Sequence, residues 1–250
     1  VYTGRVEVYQ VIKNKMYEFN KEKHLHILDG KRLTGTTTIL GVVNKPMLIQ
    51  WAANQAVEYI RSNMLTSGES TAIIPLNVLE EAKTAHRKKK EAAGDWGTTL
   101  HALIENFAKN GTAPTEGIDP IMALAFGHFE KWVADNGVTI LESERNVYSR
   151  EMWVGGICDL VLKIGDQTWL ADIKTGSGIY PEHFWQMASY EMCLAEMKMY
   201  TGVAGYIVLN LKKDGTFEEK RSISNEDNQS AFKAALTIYR IQEKLKGTVI

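Results

Sequence analysis

Cysteine is nearly absent. Cys158 and Cys193 are the only two in 250 residues, which excludes a disulfide framework, a four-cysteine zinc site and a four-cysteine iron–sulfur cluster held within this chain. An excess of charge is also missing. With 29 Lys and Arg against 30 Asp and Glu the formal net charge is -1, so any attraction for a polyanion must come from a local basic surface. No apolar run is long enough to span a bilayer and no apolar signal segment opens the chain, which predicts a soluble, cytoplasmic protein with no membrane attachment. Val1 rather than Met stands first, so a removed leader, and with it an organellar location, stays open. Internal repeats and low-complexity linkers are lacking. What remains is an ordinary globular balance, 44% apolar and 24% charged, of a length that suits one well-buried domain with at most a small accessory lobe.

Periodicity predicts a β-rich entry from Arg5 to about Thr38: Val6 to Val11 alternates, and Asp29-Gly30 marks a turn between two further strands. Pro46 suits a first helical turn, and Leu48, Trp51, Ala52, Gln55 and Tyr59 recur at helical spacing to about Asn63. A second helix is expected from Asn77 to about Ala93, a break at Asp95-Trp96-Gly97-Thr98, and a third helix through Leu100, Leu103, Ile104 and Phe107 that stops at Asn110-Gly111. A fourth spans roughly Pro120 to Asn136. Strand periodicity then takes over at Thr139 to Ser149, Val154 to Ile164 and Thr168 to Lys174. A helix from Pro181 to about Tyr200, a buried strand from Val203 to Leu211 and a helix from Asn225 to Lys246 complete the chain. The order predicts an α/β fold with a mixed sheet flanked by helices, divided into an N-terminal β-rich and helical extension over 1–96 and a core over 97–250.

The hairpin in this core carries the chemistry. If Gly165-Asp166 forms a two-residue turn, Ile164 pairs with Gln167, and counting back places Asp159 opposite Asp172. Their Cβ atoms would stand about 5 Å apart, and at an effective dielectric near 20 two charges there repel by roughly 3 kcal/mol. Alternation sends Asp159, Val161, Leu170, Asp172 and Lys174 to one face and Cys158, Leu160, Leu162, Trp169, Ala171 and Ile173 to a core face. A divalent cation bridging the acids would offset the repulsion, and hard oxygen ligands suit magnesium or manganese. Lys174 could then orient a water and stabilise charge growing on a phosphate. The competing reading is a solvated, screened acid pair.

His101 and Glu105 stand four apart on one helical face, offering an imidazole and a carboxylate together, or forming an ordinary surface pair. Gln186 and Tyr190 repeat that spacing on the helix after Lys174, where they reach a phosphate or the lysine, or simply pack. Gly176 and Gly178 loosen the connection before it. Lys83, His86, Arg87, Lys88, Lys89 and Lys90 make the one dense basic run, read first as a solvated face and second as a phosphate contact. Trp51, Trp96, Trp132, Trp153 and Trp185 are expected mainly in packing, with room for one or two to stack on unpaired bases.

Taken together, these residues resemble the RecB-like, phage-type exonuclease branch of the PD-(D/E)xK nucleases. The resemblance rests on Gly97-Thr98 followed by His101 and Glu105, Gly155-Gly156 followed by Asp159, Asp172-Ile173-Lys174-Thr175-Gly176, and Gln186 followed by Tyr190. The entry Thr36-Thr37-Thr38-Ile39-Leu40, with Lys45-Pro46 and Trp51-Ala52 after it, is similar to the leading segment of many such proteins. The likeness implies a restriction-endonuclease-like core in αβββαβ order, and a bacterial or phage-encoded deoxyribonuclease acting on single- or double-stranded DNA ends with Mg2+ or Mn2+. It implies His101, Asp159, Asp172 and the Ile173 carbonyl as metal ligands, Lys174 as the catalytic lysine, and Glu105, Gln186 and Tyr190 as supporting catalytic residues. A recombination or helicase protein would be its partner. The chain departs from cluster-bearing relatives in its cysteines, and from helicase-fused ones in lacking a Gly-x-x-x-x-Gly-Lys-Ser/Thr loop, so a stand-alone nuclease without an iron–sulfur cluster is expected. Two rivals remain: a DNA-binding module without catalysis, and a retaining glycosidase, whose paired carboxylates need no metal.

Overall fold

The computed structural model describes residues 17–43, 45–66 and 72–246. In chain order the elements are β1 (Tyr17–Asn20), β2 (Leu25–Leu28), β3 (Lys31–Arg32), β4 (Thr34–Gly35), α1 (Thr36–Leu40), α2 (Pro46–Asn63), β5 (Leu65–Thr66), β6 (Ala72–Ile73), α3 (Leu76–Ala82), α4 (Ala85–Asn110) and α5 (Pro120–Asp135). They continue as β7 (Val138–Ser149), β8 (Val154–Ile164), β9 (Gln167–Lys174), α6 (Pro181–Glu196), β10 (Val203–Leu211), β11 (Phe217–Ser222) and α7 (Asn225–Lys246). The alternating stretch Val6 to Val11 lies outside the described residues.

Two compact units result, one from the chain up to Val42 together with everything from Leu103 onward, the other Val43–Ala102. The first is built on a mixed six-stranded sheet in the order β11-β10-β9-β8-β4, with β7 also paired to β8. β8 runs antiparallel to both β7 and β9, and β10 runs parallel to β9. A parallel return needs a crossover, and α6 supplies it. α6 packs against β7, β8, β9 and β10, over a core of Val161, Leu170, Tyr206, Val208, Met187 and Leu194. α5 contacts β7 and β10, and its Trp132 donates to Glu219 at 2.8 Å. Glu219 pairs with Leu209, so α5 covers the face opposite Val208. Both faces are therefore buried, and the face expected to carry the acids is not open along its length: Val161 and Leu170 on it are fully buried.

The β2–β3 turn falls at Asp29-Gly30, both at positive φ, as their side chains favour. The entry strand stops earlier than its β-branched run suggests, because Thr36–Leu40 is helical. Ile39 and Leu40 bury against Val154, Phe232, Ala235 and Leu236, and that packing overrides the strand propensity of three threonines.

In the second unit α2 packs on α3, and Tyr59 donates to Glu81 at 2.6 Å. Leu48 and Trp51, which suggested a packed stripe, are exposed. The expected break at Asp95 to Thr98 does not occur: α4 runs unbroken to Asn110, and the interruption falls at Lys83-Thr84 instead. Gly94 and Gly97 each weaken a helix by about 1 kcal/mol, but the Thr98 and Thr99 hydroxyls bond back to the carbonyls of Gly94 and Asp95 at 3.0 Å. The buried Leu100, Leu103 and Ile104 then continue the apolar stripe through the following turns. Within the basic run, Lys83 pairs with Glu80 and Lys88 with Glu81, the behaviour of a solvated face. Among the described residues no helix is long and apolar enough to cross a membrane.

Candidate metal and phosphate site

Three neighbouring strands each bring one acid to the same level of the sheet. The β8–β9 hairpin closes through Gly165-Asp166 with Ile164 on Gln167, and the ladder runs back to Leu160 on Ala171, the register that an even-length turn predicts. One further step would set Asp159 against Asp172, yet the ladder ends there. Asp159 instead accepts a hydrogen bond from the Ile173 backbone N–H at 2.8 Å, so a side chain takes the place of the next rung.

On the other side of β8 the pairing with β7 holds Arg145 to Cys158 and Ser143 to Leu160, which brackets Glu144 and Asp159. Glu144 has a φ of 49°, a left-handed conformation uncommon for a non-glycine residue. Cys158, expected on the face opposite Val161, belongs to the same buried cluster as Val161, Leu170 and Tyr190. The β7–β8 ladder shifts register between Ile140 and Glu142, and a bulge twists the paired strands locally.

The carboxylates of Glu144 and Asp159 each offer a ligand atom within 4.8 Å of the other. Two hard oxygens this close form a donor pair suited to a divalent cation. Glu144 was not anticipated. Glu142 and Glu144 alternate on the strand preceding Asp159, which is a readable acidic signal, but the backbone turn at Glu144 is not visible in sequence.

Asp172 and Lys174 make the second half of the site. Lys174 Nζ lies 2.7 Å from one Asp172 carboxylate oxygen and 2.6 Å from the other, and Gln186 Nε2 donates to the same carboxylate at 3.3 Å. Gln186 in turn donates to the Tyr190 hydroxyl at 2.9 Å. The four-residue spacing on α6 thus brings both side chains to Asp172. Burial pushes the Asp172 carboxyl up to about 6, and the nearby Asp159 adds to that while Lys174 opposes it. For the Lys174 amine burial acts downward, but Asp172 and Asp159 outweigh it and hold the amine above its ordinary range. Burial, reinforced by Asp159 and Asp172, raises Tyr190 well above a free phenol, so it stays protonated.

The expected residues therefore divide. Asp159 comes together with Glu144, and Asp172, Lys174, Gln186 and Tyr190 form one hydrogen-bonded chain beside them, while His101 stands on α4 in the second unit. Ile173 takes part through its N–H on Asp159. Glu105 does not join them: it is ion-paired with Lys109 one turn along α4.

Two glycines permit this arrangement. A Cβ on Gly156 would lie 2.4 Å from Tyr190 Cε1, and one on Gly155 would lie 2.7 Å from His26 Cβ. The Tyr190 ring rests directly on the β8 backbone, three residues before Asp159. The connection after Lys174 is anchored as well, since buried Asn210 donates to the Gly176 carbonyl at 3.2 Å.

No family model and no curated protein matches the chain. Among solved structures it is similar to an alkaline exonuclease from Laribacter hongkongensis, at 17% identity over 60% of this chain and 84% of that one, with a TM-score of 0.30. A complex of the same exonuclease with dAMP gives 18% identity over 60% and 85%, with a TM-score of 0.30. A third structure, of SSO0001, gives 14% identity over 46% and 57%, with a TM-score of 0.26. At these scores the likeness identifies neither an activity nor a branch of relatives.

Proposed function

We propose that the chain is a divalent-metal-dependent nuclease that hydrolyses phosphodiester bonds of DNA, working on DNA ends with magnesium or manganese. The observation that carries this reading is the adjacency, at an interrupted β8–β9 ladder, of the Glu144–Asp159 carboxylate pair and a buried Asp–Lys pair. A fold leaves two acids beside a third only where something offsets their repulsion. One amine does so for Asp172. A cation between Glu144 and Asp159 would lower their mutual repulsion further.

The residues then take distinct parts. His101, Glu144 and Asp159 would hold the ion, with Asp172 and the Ile173 carbonyl completing its surroundings. A divalent ion in that position supplies Lewis acidity toward a phosphoryl oxygen and lowers the pKa of a bound water. Lys174 presents a protonated amine where negative charge grows on the phosphate. Gln186 orients the Asp172 carboxylate, and the protonated Tyr190 hydroxyl holds Gln186 in place.

The test is incubation of the purified protein with end-labelled linear and closed-circular DNA, single- and double-stranded, with Mg2+, Mn2+ or chelator. Degradation of linear DNA that needs the metal is expected, together with its loss in Asp172→Ala and Lys174→Ala variants that remain folded. Cleavage unaffected by chelator, or equal cleavage by both variants, would remove the proposal.

A further inference from the structure

Asn210 lies on β10, fully buried, in register with Lys174 on the adjacent parallel strand. In-register residues of neighbouring strands project to the same face from backbones about 4.8 Å apart, so the amide stands beside the lysine side chain. Its orientation is fixed. The Gly176 carbonyl can only accept, so the end bonded to it at 3.2 Å is the nitrogen. The other end, Oδ1, is a buried acceptor with no hydrogen-bond partner among the described residues.

A buried oxygen without a donor is a standing cost in a folded protein. Such an atom makes sense where another state of the molecule brings it a donor. The Lys174 ammonium is a neighbouring group with donors to offer, three in all, and here it is held on the Asp172 carboxylate by contacts of 2.7 and 2.6 Å, while the Lys212 ammonium is turned to Glu218 at 3.4 Å.

Resting on the nuclease reading above, we propose that Asn210 is a positioning residue for Lys174: once a divalent cation engages the Asp172 carboxylate, the ammonium turns to Asn210 Oδ1, which aims it at the reacting phosphate. The same side chain, through Nδ2 and Gly176, fixes where the loop after Lys174 begins. Asn210 touches neither metal nor substrate. Its effect is on where the amine stands.

Two measurements test this. In crystals of the parent protein soaked with Ca2+, Lys174 Nζ is expected within about 3 Å of Asn210 Oδ1; an ammonium still on Asp172 with the ion bound, or an Asn210 oxygen turned to another donor, overturns it. In kinetics, Asn210→Leu removes both polar ends, whereas Asn210→Asp keeps an acceptor and loses the donor to Gly176. The leucine variant is expected to lose about 10- to 100-fold in kcat with KM for DNA near the parent's, and the aspartate variant to recover most of that loss. Equal loss in both assigns Asn210 to the Gly176 contact alone and overturns the proposal, as does parental turnover in the leucine variant. A parent protein with no metal-dependent cleavage at all is a different outcome, which removes the nuclease reading.

Discussion

Glu144 and Asp172 show how far the chemistry of the site depends on single side chains. Glu144 adds a second carboxylate oxygen beside Asp159, so Glu144→Gln is expected to weaken Mn2+ binding by about tenfold or more while leaving the melting temperature of the metal-free protein close to the parent's. Calorimetric titration checks this, and equal affinity in the two proteins would take Glu144 out of the ligand set. Asp172 sets a pH dependence. Its carboxyl is raised from 3.8 to about 6, so the native state holds that proton more tightly than the unfolded chain does. The stability it contributes is therefore fully present below 3.8 and lost as pH rises through about 6. His26 works in the opposite sense. Burial, then the neighbouring His24, lowers it from 6.5 to about 4, so its contribution is present above 6.5 and lost as pH falls toward 4. A comparison that isolates Asp172 is the metal-free parent minus Asp172→Asn, whose difference in melting temperature is expected to fall as pH rises from about 4 to 7. A flat difference would show that the carboxyl is not shifted.

Strand β8 is the element on which the site turns. Its Cys158 and Val161 share one buried cluster, its backbone at Gly156 supports the Tyr190 ring, and its Asp159 replaces a ladder rung. Gly156→Ala forces a methyl into a ring with no room to retreat, since Tyr190 is buried and tied to Gln186. The variant is expected to lose about 1–3 kcal/mol of stability and, by displacing Gln186, to lose activity beyond what the stability loss explains; chemical denaturation and turnover of the folded fraction check the two parts. The hairpin was legible in sequence because an even turn at Gly165-Asp166 leaves a single register that buries Leu160, Leu162 and Ala171. The place of Cys158 beyond Leu160 was not, because the register shift between Ile140 and Glu142 lies on the neighbouring strand. The same limit applies to α4. Gly94 and Gly97 read as a break, whereas the buried turns beyond carry the helix through.

Across the molecule, the elements from β7 to β10 lie close to where periodicity sets them, since long runs with one buried face leave little freedom. The short elements α1 and β11 escaped that reading because contacts distant in sequence specify them: Ile39 on Phe232 and its neighbours, and a ladder to β10. Glu144 escaped for the same reason, since its neighbour Asp159 comes from another element. An ion joining such groups binds the native state and not the unfolded chain. Mn2+ at about 100 times its Kd is therefore expected to add about 2.7 kcal/mol of stability, readable as a rise in melting temperature that Asp159→Asn removes. The most direct measurement is the anomalous difference map of a crystal soaked in Mn2+. A peak within about 2–2.6 Å of carboxylate oxygens of both Glu144 and Asp159 is the expected result; a bound ion elsewhere with these two acids untouched would contradict the metal site.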